Sequence, residues 1–353
     1  MPFQPPVNRR TWLSAVALAA VACTLLVGML LVAWAGAPVG QTYTLLFDGA
    51  FGSRFALSET LTRATPLMLT GLACAVAFRA RLFNIGAEGQ LYMGALAAVA
   101  VGGMHGGAAF DLPTPVLFAG MMAAAALAGA LLLLIPALLK SRFGVDEVVT
   151  TLLGNFIVLL FVSMMLDGPM KDPMAMGWPQ SVALDGSLEL GKLIERTRAH
   201  TGLLWAIGLA VGLWLVNRYT VFGFQMRSVG ANAHASRFLG LPVQRVMLCT
   251  AMLSGALAGL AGAIEVAGRT SYVTLDMSPG YGYTGVVVAM LAGLHPIGVV
   301  AASIFVAGML VGADSMSRAV AVPNYIADVI VAVALLAMLV ATLFAQYRVR
   351  RVR

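Results

Sequence analysis

The stretch that most constrains this chain is TPLMLTGLACAVAFRARLFNIGAEGQLYMGA, residues 65–95, an apolar segment interrupted at its centre by charge and glycine. Two apolar arms, Pro66 to Phe78 and Leu91 to Val101, flank a polar centre that holds Arg79, Arg81, Asn84, Glu88 and Gln90. Each arm falls short of the roughly 20 apolar residues that a straight membrane span needs, so the pair predicts short or discontinuous helices. Gly86 and Gly89 supply the backbone freedom for the break. A carboxylate at mid-membrane depth costs roughly 2.5–3.5 kcal/mol on insertion scales and persists where it faces protein or a wet cavity. Glu88 is therefore the first candidate functional residue.

The rest of the chain agrees with a membrane setting. It is 60% hydrophobic and 10% charged, whereas soluble domains carry about 25% charged residues. The net charge of +7 does not indicate nucleic acid, because the basic residues stand singly between apolar runs and form no stripe with interleaved aromatics. The expected fold is all-α and polytopic, with about ten transmembrane helices, several short or broken. Apolar runs place them near residues 12–36, 65–78, 91–104, 115–139, 148–166, 201–217, 246–267, 284–294, 297–316 and 322–345. The whole of 1–353 reads as one transmembrane domain: an N-terminal span and loop (1–64), a first repeat with its loop (65–200), a second repeat (201–345) and a basic tail (346–353). The run from Trp12 to Trp34 behind Arg9 and Arg10 exceeds the h-region of a signal peptide and reads as an uncleaved span. Cys23, Cys74 and Cys249 lie in apolar segments without metal-ligand spacing, as small core residues.

The bias of Lys and Arg puts both termini in the cytoplasm, with the charged segments around Arg79, Lys140, Arg218–Arg245 and the C-terminal tail. Two loops stand out. Gly168–His200, on the outer face, mixes prolines with charge and is long enough for a short surface helix. Arg218–Arg245, on the inner face, has helix-like density between Gly230 and Gly240, which predicts a helix of two or three turns able to dock onto a partner. A weak internal repeat relates Thr70-Gly71-Leu72-Ala73 to Ser254-Gly255-Ala256-Leu257, the first copy in an inward-going span and the second in an outward-going one. That is the pattern of an inverted repeat, whose interface usually carries the substrate path.

Most motif-like spellings carry no chemistry. Gly186-x4-Gly191-Lys192 lacks the Ser or Thr that holds magnesium in a phosphate loop. Gly280 to Gly285 spells GxGxxG without a βαβ unit, so its glycines are expected to turn a re-entrant chain. The glycines Gly255, Gly259 and Gly262, and the pair Gly308 and Gly312, read as close-packing faces. Asp146 and Glu147 favour the N-terminus of a helix, Asn155 two turns further in needs a partner, and Glu265 is placed to pair with Arg269. No catalytic or metal-binding constellation is spelled.

The segment Phe78-Arg79-x-Arg81-Leu82-Phe83-Asn84-Ile85-Gly86-Ala87-Glu88-Gly89-Gln90 resembles the signature of bacterial ABC-importer permeases for nucleosides, simple sugars and branched-chain amino acids, most of all the nucleoside branch. Further likenesses are Val145 to Val148, Leu153 to Asn155, Gly230 to Val243, Ser254 to Gly262 and Tyr283 to Pro296. One departure is Arg81, where the family usually has Gly. The resemblance implies an inner-membrane permease subunit that binds no cofactor or metal itself. It would pair with a second, distinct permease, sit on an ATPase subunit or fused double ATPase that consumes ATP, and take its small-molecule substrate from an extracytoplasmic lipoprotein.

On that reading Asn84, Glu88, Gln90 and Asn155, with Tyr281 and Tyr283, line the substrate cavity. Arg227, Asn232, His234, Arg237 and Leu241 belong to the segment gripped by the ATPase. The expected substrate is a nucleoside or related purine or pyrimidine compound, with sugar, branched-chain amino acid and flavin as alternatives. Rivals of other classes are an ion-coupled transporter using Glu88 or Asp328 as proton carrier, and a membrane enzyme acting on lipid-linked substrates.

Overall fold

The computed structural model describes residues 38–104, 112–195 and 197–320 continuously, with short pieces elsewhere. The chain divides into two compact units, Met1–Thr60 with Ile304–Arg353, and Leu61–Ser303. The described helices are α1 (Val39–Phe51), α2 (Arg54–Arg79), α3 (Ala87–Gly102), α4 (Thr114–Phe143), α5 (Glu147–Asp167), α6 (Gly202–Tyr219), α7 (Val221–Ala231), α8 (Ala233–Phe238), α9 (Val243–Glu265), α10 (Tyr281–Leu291) and α11 (Pro296–Val320). Six are long and apolar enough to cross a membrane: α2, α4, α5, α6, α9 with its π-helical extension to Thr270, and α11. The chain is therefore a multi-pass helical membrane protein. The expected count of about ten is not reached among the described residues, and most of the spans expected at 12–36 and 322–345 lies outside them.

One arm differs from its expectation. The segment ending at Phe78 is not a short half-helix, because α2 starts eleven residues before Thr65 and runs 26 residues. Hydropathy does not show this start because residues 54–65 are rich in polar side chains, several of which the helix itself satisfies. Ser58 donates to the Phe55 carbonyl and Thr65 to that of Leu61, which removes most of the cost of placing hydroxyls in an apolar setting. The second arm is short as expected, since α3 has 16 residues, and so is the span expected at 284–294, where α10 has 11.

In the unit Leu61–Ser303, α9 packs against α4 and α3, and small residues set the distance. A Cβ at Gly259 would collide with the Ala125 carbonyl, one at Gly255 with that of Gly129, and one at Gly262 with that of Leu91. The three backbones thus touch directly, the arrangement that small-xxx-small faces allow. In the unit Met1–Thr60 with Ile304–Arg353, Gly312 lies on the Leu46 carbonyl and Gly308 on the Phe51 ring in the same manner. Cys74 is buried as expected, but Cys249 is exposed.

The segment 168–200 holds a three-residue 3₁₀ turn, Gly186–Leu188, and no α-helix among its described residues. It is pinned by backbone bonds instead: Leu184 N–H donates to Ser271 O, Leu190 N–H to Ala267 O, and Asp185 N–H to Gly102 O. Asp185 accepts from the Ser187 N–H, and that bond holds its carboxyl below the usual carboxylate range. At the end of the segment His200 is buried, its Nδ1 accepting from Gly202 N–H, its ring filling the space where Gly268 has no side chain.

Two outcomes follow from this packing. Gly259→Val should destabilise by about 3 kcal/mol and lower the melting temperature in detergent. Gly208→Ala, with nothing near its Cβ, should not. Burial, followed by the nearby Arg269 charge, holds the His200 imidazole down to about 4, below the ~6.5 of free histidine. The unfolded chain therefore takes up its proton first as pH falls. The contribution, about 3 kcal/mol, is complete above about pH 6.5 and is lost progressively down to about pH 4. A melting series over that range should show the loss, and His200→Gln should flatten it.

Candidate functional site

The break between α2 and α3 is held by one face of α5. The helix before it, α4, stops at Gly144 in the left-handed region (φ 69), and Asp146 then caps α5 by accepting from Val148 N–H at 2.8 Å. From that start Glu147, Thr151 and Asn155 recur every fourth residue and so share a face. Glu147 Oε1 accepts from Phe83 N–H at 3.1 Å and Thr151 Oγ1 from Ile85 N–H at 3.3 Å. Asn155 Oδ1 accepts from Gly89 N–H at 2.8 Å, and its Nδ2 donates to Ile85 O at 2.9 Å. Non-helical chain in a membrane protein needs such partners, since an unsatisfied peptide group there costs several kcal/mol. Lys140 closes the arrangement by pairing with Glu147 and donating to Arg81 O at 2.8 Å. Arg81 itself has φ 53, a left-handed conformation natural to glycine, which gives the physical reason for the residue expected there.

Within the break, Asn84 and Gln90 form a reciprocal amide pair, each donating to the other at 2.9 Å. Asn84 also donates to Ser254 Oγ at 3.0 Å, and Ser254 in turn donates to Ala73 O at 2.7 Å. Glu88, 3% exposed, accepts from Gly282 N–H at 2.6 Å. Gly282 lies in the first turn of α10, so the carboxylate sits at the positive end of a short helix. No side chain at position 282 would fit, because a Cβ would strike the Glu88 backbone. Gly280 precedes α10 with φ 85, the turning role expected of these glycines, whereas Gly282 and Gly285 lie within α10 and instead allow close packing against Glu88 and Thr70. α10 is about 16 Å long, roughly half of a ~30 Å hydrocarbon core. Beyond its other end, Leu294 O accepts from Arg79 Nη2 at 2.9 Å.

Of the six residues expected to line a cavity, Gln90 and Asn155 do so. They lie buried at the base of a largely apolar cleft of about 370 Å³ whose walls are Leu132, Ile135, Pro136, Leu153 and Ile157, with Thr150 and Thr151 beside them. Tyr283 is 38% exposed and accepts from Asn155 Nδ2 at 3.2 Å. Asn84 lies behind Gln90. Glu88 and Tyr281 are outside the lining, and Tyr281 is buried, accepting on its hydroxyl from Arg269 at 3.1 Å. Arg269 also binds Glu265 at 2.6 Å, the pairing expected from their spacing. Thr151 and Lys140 were missed by the sequence reading, although the spacing Glu147, Thr151, Asn155 carried the signal for the first.

The segment 218–245 contains α7 and the six-residue α8, shorter than the two or three turns expected. Asn232 caps α8, accepting from Ala235 N–H at 3.0 Å. His234 and Arg237 are exposed and Leu241 is half-buried, while Arg227 donates to Asn217 O. Phe238 is 93% exposed, an apolar side chain next to the expected docking residues. Gly230 lies directly on the Arg79 carbonyl, with no room for a Cβ.

Membrane-crossing helices with a satisfied polar break and a short half-helix are a pattern that membrane transporters use. Residues 56–343 match the model of the family described as branched-chain amino acid transport system permease component, and the chain belongs to that family. It is 36% identical over 323 residues, 91% of either chain, to the guanosine ABC transporter permease protein NupP of Bacillus subtilis. It is also 36% identical to the glucose ABC transporter permease protein TsgB13 of Haloferax volcanii, over 91% of this chain and 86% of that one. With the nucleoside ABC transporter permease protein NupB of Lactococcus lactis it shares 29% over 88% and 87%. The chain is a permease, a transport subunit.

Arg81→Gly relieves the left-handed backbone and leaves the Lys140 bond to the carbonyl intact, so it should stabilise by about 1 kcal/mol, seen as a higher melting temperature in detergent.

Proposed function

We propose that this permease imports a nucleoside, driven by ATP hydrolysed on separate ATPase subunits. The observation that carries the reading is the 36% identity to a guanosine permease across 91% of both chains. The cleft shape is compatible with it: its apolar walls suit the flat faces of a nucleobase, and Gln90 and Asn155 at its base would have to give up partners in the break to meet the polar edge. Asn84 holds Gln90 in place, and Glu88 anchors the helix that carries Tyr283. The glucose permease of equal identity makes a sugar the second reading.

The remaining partners belong to the same proposal: a second permease, an extracytoplasmic receptor lipoprotein, and an ATPase gripping residues 218–245 through Asn232, His234, Arg237 and Leu241, with Phe238 and Arg227 beside them. Both termini then face the cytoplasm of the inner membrane. Motion of α7 and α8 reaches the break through Gly230 on Arg79, and α10 through Arg79 on Leu294. An inverted repeat is supported by reciprocal contacts between its copies. Thr70 donates to Tyr281 O at 3.0 Å, and Ser254 accepts from Asn84.

The test is uptake of labelled guanosine and glucose by cells with and without this gene. We expect guanosine uptake that disappears when the ATPase partner is inactivated and survives a proton ionophore. Gln90→Leu should raise the KM for guanosine about tenfold or more, as expected for leaving a buried polar partner unpaired. Uptake of glucose alone would overturn the nucleoside reading, and uptake abolished only by the ionophore would overturn the ATP-driven one.

A further inference from the structure

A second cavity, of about 610 Å³, lies between the segment 168–200 and the end of α9. It stands at the opposite end of a 28-residue helical run from the segment 218–245, about 42 Å away along the helix axis. Unlike the cleft at Gln90, its lining is polar: Trp178, Lys192, Arg198, Thr270, Tyr272 and Asp276 contribute, together with Glu189.

Three features mark it as more than a surface hollow. The end of α9 widens into a π-helical turn, Val266–Thr270, a distortion frequent at functional sites. The hydroxyl of Thr270, which lines the cavity, is buried and has no hydrogen-bond partner among the described residues. Such an atom calls for an explanation, because a buried polar group left alone is costly. Ser271, the next residue, takes φ 60, where glycine is the ordinary choice. Its hydroxyl donates to Glu189 at 2.6 Å, tying the turn to the opposite wall.

We propose that this cavity is a second binding site, which takes a neutral, polar solute with a planar ring before it reaches the cleft at Gln90 and Asn155. On the function proposed above, that solute is a nucleoside. The lining argues for this class. Trp178 and Tyr272 offer faces on which a ring stacks. Arg269 is paired with Glu265, so the remaining cations, Lys192 and Arg198, are matched by the carboxylates Glu189 and Asp276. That balance disfavours a phosphorylated ligand, and the polar walls disfavour an acyl chain. Ribose hydroxyls and exocyclic amines can donate to Asp276, and ring carbonyls can accept from Lys192 or Arg198. Arg269 connects the site inwards, since its guanidinium donates to the Tyr281 hydroxyl at the start of α10, one residue before the Gly282 N–H held by Glu88.

The experiment uses the complete transporter with guanosine as the probe, in lipid nanodiscs for binding and in proteoliposomes for uptake. Trp178 is 62% exposed, so Trp178→Ala and Trp178→Phe are expected to fold. Guanosine added without the receptor should quench tryptophan fluorescence saturably in the wild type and not in Trp178→Phe. Trp178→Ala and Asp276→Asn should each raise the KM of guanosine uptake roughly tenfold with the maximal rate within about twofold. Unchanged KM and quenching in the variants would overturn the site. So would the absence of quenching by guanosine alone combined with weakened receptor attachment in Trp178→Ala, which would make the cavity a protein-docking patch. A wild type that transports guanosine without a Trp178 signal refutes this site alone. A wild type that transports glucose and not guanosine refutes the proposed function and the identity of the occupant together.

Discussion

A polypeptide that abandons the helix inside a membrane must find hydrogen-bond partners for the peptide groups it releases, and in this protein α5 supplies those that the break does not find within itself or at Lys140. Glu147, Thr151 and Asn155 lie along one face of that helix and bind the backbone of residues 83–89. Their spacing is helical and their targets are not, so a regular element acts as the template for an irregular one. The ends of the short helices follow from it. Once Gly86 and Gly89 are held, Glu88 is placed where the first turn of α10 needs a negative charge, and Gln90 is oriented by Asn84 towards the cleft.

Close backbone contact is the second requirement. A polar break can be read by a neighbouring helix only if that helix comes near, and glycine makes this possible at the crossings of α9 with α3 and α4. The same device appears at Gly230 on Arg79 and at Gly282 on Glu88, where backbone meets backbone. Side chains at these positions would not merely crowd a core; they would separate the cleft, the half-helix and the segment 218–245 from one another. The polar groups of the break serve structure first. Asn84, Glu88, Gln90 and Asn155 are all buried and engaged with protein, whereas Tyr283 alone of the six keeps an exposed surface.

The amino-acid sequence by itself determined the class of protein, the position of the break, the shortness of α3 and α10, the close-packing glycines and the Glu265–Arg269 pair. These are local properties: hydropathy, glycine content and helical spacing act over a few residues and survive without knowledge of the fold. It also located Arg81 as a departure from its relatives' pattern, without the reason. Only the tertiary structure decided that Arg81 sits in a left-handed turn, that α2 extends back through a polar stretch to Arg54, and that the six expected cavity residues divide into those that line the cleft and those that hold it. Such assignments depend on partners 60 to 200 positions away, as with Asn155 and Gly89 or Glu88 and Gly282. A carboxylate or amide has the same composition whether it faces a solute or caps a helix, and the choice between them is made by what the fold brings against it.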